Sequence, residues 1–194
     1  MAPRLERLLG VVLLAWAAAA PAAPSWDVER LLAGFAQTRE ARASFVERKT
    51  VRVLERPLVS SGELRFAAPD RLEKRTLRPR PELLVLDGDR LTLERGERRL
   101  QLDLRSYPEV AAFVQSIRGT LAGDREALER AYQLALEGDA ASWALTLVPR
   151  TPAMSDLVAR VRIAGRHAEI SVVEIVHANG DRSLMSVQRL PGAR

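Results

Sequence analysis

Cysteine is missing from the 194-residue sequence, which excludes a disulfide framework, a thiolate nucleophile and cysteine-ligated zinc. Histidine is nearly missing. His167 and His177 are the only two, and a metal site built on them would need Glu169 or Glu174 to converge with both. Ten residues apart about a turn, they read as strand-end residues, so no metal and no cofactor are expected. Aromatic residues make up 5% of the chain, too few to interleave with cations as a base-stacking platform. Lysine is scarce too: Lys49 and Lys74 stand against 28 arginines. No G-x-S-x-G elbow, S-x-x-K pair, phosphate-binding loop or G-x-G-x-x-G fingerprint occurs. The one long apolar run, Leu8 to Ala20, is about 13 residues, short of the roughly 20 that span a bilayer as a helix.

That run has the flanks of a secretory signal. Arg4 and Arg7 precede it and Ala20-Pro21-Ala22 supplies a small-x-small cleavage site. Residues 1–22 are read as a signal peptide and 23–194 as a single domain, exported, soluble and, in a bacterium, periplasmic. What is present in quantity fits a folded domain: 47% hydrophobic and 28% charged residues. The net charge is +5 and the sequence pI about 10.5. Arg71, Lys74, Arg75, Arg78 and Arg80 form a basic cluster interrupted by Glu73. It reads either as a solvated strand face or as a patch for an anionic surface. Export removes nucleic acid from the expected partners and leaves anionic headgroups or an acidic protein.

Helical spacing comes first: Trp26, Leu31, Leu32 and Phe35 form a stripe behind Ser25, a residue able to cap, with Asp27 and Glu29 in the first turn. Alternating segments follow, broken at Pro57, Pro69, Pro79-Arg80-Pro81, Asp87-Gly88 and Arg95-Gly96. Pro108 then opens a second helical pattern, with Val110, Phe113, Val114, Ile117 and Leu121 on one face. After a short segment at Asp124–Arg130, alternation resumes to Leu190. Roughly ten strands at this spacing predict one antiparallel meander with a dry face and a face lined by Arg, Glu and Asp. The two amphipathic helices are the only covers for the dry face, and they make either a filled core or a lidded pocket.

The order of these features resembles the LolA-type periplasmic lipoprotein carriers and the wider LolA-like set. The residues that carry the likeness are Phe35-Ala36-Gln37-Thr38, Ser44-Phe45-Val46-Glu47, Ser61-Gly62-Glu63-Leu64-Arg65-Phe66-Ala67-Ala68-Pro69-Asp70-Arg71-Leu72, Leu83-Leu84-Val85-Leu86-Asp87-Gly88-Asp89-Arg90-Leu91 and Leu145-Thr146-Leu147-Val148-Pro149-Arg150. The resemblance implies an α+β, mainly β fold: an incomplete antiparallel β-barrel, a curved meander sheet with helices forming a lid over a hydrophobic cavity. It implies a non-catalytic carrier, probing no chemistry beyond binding, that takes the acyl chains of a lipoprotein or other envelope lipid towards the outer membrane. An inner-membrane donor complex and an outer-membrane acceptor would be its partners, and a monomer is expected. The dry strand faces carrying Phe66, Val85, Leu91, Leu93, Leu102, Trp143, Leu145 and Leu147 are then expected to line the cavity, with Phe113, Val114 and Ile117 under its lid.

Two departures stand out. The family's Arg before the Pro of the Ser-Gly…Pro segment, which holds the lid, is Ala68 here. The chain also reaches Arg194 soon after Leu190-Pro191, without the family's further strand. The cargo is therefore read as a triacylated lipoprotein or another envelope lipid. Two rival functions remain: an acyl-processing hydrolase using the same pocket, for which Ser44 or Ser142 would be the nucleophile, and a structural envelope protein with a filled core.

Overall fold

The computed structural model describes residues 26–191, except the side chains at 108–110, 112, 113, 115 and 116. The expected signal peptide, 1–22, lies outside the described residues. Helix α1 (Val28–Ala36) is capped by Asp27, whose carboxylate accepts from the Arg30 N–H at 2.9 Å, and it buries Leu31, Leu32 and Phe35. The expected cap, Ser25, is also outside the described residues. Six strands follow: β1 (Glu40–Thr50), β2 (Leu58–Ala67), β3 (Arg71–Arg78), β4 (Glu82–Asp87), β5 (Arg90–Arg95) and β6 (Arg98–Asp103). A single 3-10 turn, Leu104–Ser106, leads into α2 (Pro108–Ala122) and α3 (Arg125–Ala131). The chain closes with β7 (Tyr132–Asp139), β8 (Ser142–Pro149), the one-turn helix α4 (Pro152–Ser155), β9 (Val158–Arg166), β10 (Glu169–His177) and β11 (Arg182–Arg189).

All eleven strands form one antiparallel sheet in the order β6-β5-β4-β3-β2-β1-β11-β10-β9-β8-β7. Nine of the ten ladders join strands consecutive in sequence; the β1–β11 ladder is the one long-range closure, and it fuses the two meanders. The edges β6 and β7 do not pair, so the sheet is a large curved surface not closed into a barrel, as the LolA-like resemblance implies.

Two apolar clusters occupy the helix-bearing face. The larger joins Leu31, Leu32 and Phe35 of α1 and Leu128 of α3 to Trp143, Leu145, Leu147, Val161 and Ile163 of β8 and β9, with Met154 of α4. Phe35 meets Trp143 edge-on, ring centroids 5.8 Å apart. The smaller joins Leu86, Leu104 and Val114, with Leu72, Leu91 and Ala111 against them. Helix α2 bridges the two: its first half carries Val114, while Gly119 near its end lies against Leu128. Gly123 ends α2 in the left-handed conformation, φ +72°, and a Cβ there would stand 2.4 Å from the Leu32 carbonyl oxygen. That contact seats α2 on α1.

Candidate functional site

Residues opposite each other in an antiparallel ladder share a face, so the register decides which side chains meet. From the β6 edge inward, one row on the helix-bearing face runs Leu102, Leu91, Leu86, Leu72 and Phe66. The next row runs Leu100, Leu93, Leu84, Lys74 and Leu64. The two rows make a leucine floor across β3 to β6. Val114 and Ala111 of α2 pack on the first row through Leu86, Leu72 and Leu91. The second row lies beyond that cluster: Leu84 and Leu93 are half-buried and Leu100 is 52% exposed. The apolar strip is thus covered by α2 along one side and partly open along the other.

The floor ends at a polar island. Lys74 Nζ donates to Glu47 Oε2 at 2.5 Å and sits 5.1 Å from the centre of the Phe45 ring. Ser183 Oγ donates to Glu47 Oε1 at 2.5 Å, and Ser60 Oγ lies 3.5 Å from Oε2. Burial pushes the Glu47 carboxyl up, but the hydrogen bonds from Lys74 and Ser183 and the charges of Lys74 and Lys49 outweigh it and leave the group below its ordinary value. Gly62, opposite Phe45, lies where β2 shifts register against β3, and a Cβ there would stand 1.9 Å from the Arg75 carbonyl oxygen. Glycine at 62 is thus required by close strand approach.

The cover over the floor is tied down by Arg118 of α2. Its Nη2 donates to Asp70 Oδ2 at 3.0 Å and its Nη1 to the Gly88 carbonyl oxygen at 3.0 Å. Asp70 lies in the β2–β3 turn and Gly88 in the β4–β5 turn, so one guanidinium ties the helix to two neighbouring turns at one end of the sheet. The Arg118 side chain is 15% exposed. The cation comes from the helix and the acceptors from the turns of the sheet.

The expected site residues divide three ways. Phe66, Leu91, Leu93 and Leu102 lie on the floor. Trp143, Leu145 and Leu147 share that face but are at most 2% exposed in the cluster filled by α1 and α3, where they form core rather than a lining. Val85 pairs with Thr92 and Glu73 and leaves on the opposite face. The uninterrupted run Leu83–Leu86 carries no alternation, so its sequence does not say which parity faces inward; the ladder selects Leu84 and Leu86. Of the lid residues, Val114 is buried on the floor, Ile117 is 36% exposed, and the Phe113 side chain lies outside the described residues. Sequence reasoning also missed Leu72, Leu84, Leu86, Leu100, Arg118 and Asp70.

The basic cluster is not one patch. Lys74 points to the helix-bearing face and is paired with Glu47, and Arg71 is bound to Glu73 and, at 2.7 Å, to Asp87. Arg75 is exposed on the other face, while exposed Arg78 and Arg80 stand at the β3–β4 connection. Ser44 Oγ lies 3.5 Å from the Gln188 carbonyl oxygen, and Ser142 is an exposed residue at the start of β8. His167 and His177 fall at opposite ends of β10, and no group of three His, Asp or Glu side chains able to hold a metal occurs among the described residues. No helix among them is long and apolar enough to cross a membrane.

The family model for outer membrane lipoprotein carrier proteins, LolA-like, matches residues 18–190. A search of the curated proteins finds no match. Among solved structures, the chain is similar to a LolA superfamily protein from Nitrosomonas europaea, at 10% identity and TM-score 0.45, over 83% of this chain and 91% of that one. It is also similar to the complex of MucA and MucB from Pseudomonas aeruginosa, at 15% identity and TM-score 0.47, over 86% of this chain and 59% of that one.

Proposed function

Since the chain belongs to the LolA-like family of outer membrane lipoprotein carrier proteins, we propose that it is a periplasmic carrier that binds acyl chains on the leucine floor of β3–β6 beneath α2. The observation that carries this reading is the unequal cover on one continuous apolar face. The β7–β10 half is filled by α1 and α3, whereas Leu84, Leu93 and Leu100 are left partly open beside α2. Each buried methylene contributes about 0.8 kcal/mol, so seating about eight of them gives roughly 6 kcal/mol, a gross affinity of tens of micromolar. A charge-assisted hydrogen bond is worth about 1.5–3 kcal/mol. Releasing the two made by Arg118 therefore costs no more than the chain returns, and a lipid can both open the cover and leave again. The cargo is a lipidated protein or another envelope lipid, delivered towards the outer membrane, and its step is binding and release with no bond made or broken.

Displacement of a fluorescent fatty-acid probe tests the reading. Wild type should take up the probe, and Leu93→Asp should lose it while keeping its melting temperature within a few degrees, because Leu93 is only half-buried. No uptake by wild type, or undiminished uptake by Leu93→Asp, would overturn it.

A further inference from the structure

The most exposed large apolar side chain among the described residues is not on the floor but on the β1–β2 connection: Val53 is 88% exposed, beside Leu54 at 45% and Leu58 at 54%. Strands β2 and β3 are antiparallel neighbours, so the connections 51–57 and 79–81 lie at the same end of the sheet. Arg78 pairs with Ser61, which sets the segment 79–81 level with the start of β2. Arg48, Lys49, Arg52 and Arg56 are thereby joined by Arg78 and Arg80, and Glu55 is the one acidic residue in 48–58 and 78–81. Leu77, 51% exposed, adds a further apolar side chain next to Arg78.

This tip is braced. The Arg52 N–H donates to Asp181 Oδ1 at 3.0 Å, Arg52 Nη1 donates to the Asn179 carbonyl oxygen at 3.2 Å, and the Leu54 N–H closes a turn on the Val51 carbonyl at 2.9 Å. Val53 and Leu54 are therefore held out from the sheet end by a fixed turn.

We propose that this tip docks the protein on an anionic phospholipid leaflet, Val53 and Leu54 entering the boundary between headgroups and acyl chains and the surrounding arginines pairing with phosphates. The geometry favours a bilayer over a protein partner. A single exposed turn offers far less than the roughly 800 Å² per side that a stable protein interface takes, whereas a fluid bilayer closes around a projecting side chain of any shape. Apolar insertion and attraction to anionic lipid act together there, each nearby cation strengthening binding about fivefold. The tip also lies at the end of the sheet towards which the uncovered row Leu84, Leu93 and Leu100 is displaced from the covered row Leu86, Leu91 and Leu102. Docking would present the open side of the floor to the membrane; this last point rests on the acyl-binding reading, while the docking itself does not.

Co-sedimentation with vesicles tests it, comparing phosphatidylcholine alone with phosphatidylcholine mixed with phosphatidylglycerol. Wild type should bind the anionic vesicles and lose that binding on Val53→Asp combined with Leu54→Asp, by about tenfold or more and with an unchanged melting temperature. Arg78→Ser with Arg80→Ser should weaken binding and flatten its salt dependence. Because the chain has no cysteine, a dye on Val53→Cys reports insertion directly and should shift to the blue on anionic vesicles alone. Failure of wild type to bind them, equal binding by the double aspartate variant, or a dye that stays in water would each overturn the proposal. Vesicle binding without uptake of the fatty-acid probe would retain the docking tip and remove the acyl floor.

Discussion

Leu145 is 0% exposed among Leu31, Leu128 and Tyr132, and that burial decides what a charge would do there. The side chains around it are apolar, and an unpaired buried charge costs several kcal/mol, comparable to the whole stability of a small domain. Leu145→Arg should therefore unfold the protein, which circular dichroism would register as loss of the cooperative melt; the same substitution at half-buried Leu93 should leave the melt intact. Glu47 tests a different kind of residue. Its folded-state carboxyl lies below the value near 4.5 expected of an ordinary glutamate. Its favourable contribution is thus complete above that value and is lost as pH falls through the lower folded value. Denaturant unfolding should show wild type more stable than Glu47→Gln at neutral pH, with the difference shrinking below about pH 4.5. A difference that grows on acidification would contradict the ion-paired assignment.

At the scale of elements, α2 is the part whose sequence says least about its placement. Pro108 at its start and the spacing of Val110, Phe113, Val114, Ile117 and Leu121 announce a helix, and a helix is there. The partners of Arg118 are not announced, because Asp70 and Gly88 lie in two turns 48 and 30 residues away. Strands announced themselves better: Gly62–Phe66 and Leu100–Leu104 alternate cleanly, and Asp87-Gly88 closes the β4–β5 hairpin. The inward parity failed only where alternation did, at Leu83–Leu86. Removing the tie tests its role. Arg118→Ala should cost about 1.5–3 kcal/mol for each of the two hydrogen bonds to the charged group that it removes. It should also speed amide exchange in 111–122 and accelerate probe release, whereas Arg75→Ala, on the other face, should do neither. Exchange in α2 unchanged by Arg118→Ala would show that packing against α1 and α3 alone holds the helix.

Over the whole molecule, one sheet face carries three different surfaces in sequence: a filled core across β7–β10, the Glu47–Lys74 island near β1, and the leucine floor across β3–β6. The dry face itself was legible in the alternation of the strands. Its division was not, because local pattern records which residues avoid water and not which helix comes to cover them. Trp143 and Leu93 look alike as alternating apolar residues; only the seating of α1 on β8 separates core from open floor. The most direct measurement of that division is paramagnetic broadening of leucine and methionine methyl resonances by a nitroxide-labelled fatty acid bound to the full protein. Broadening of Leu84, Leu93 and Leu100, with Leu31, Leu145 and Met154 left sharp, is the predicted result; broadening centred on the second set, or none at all, would contradict it.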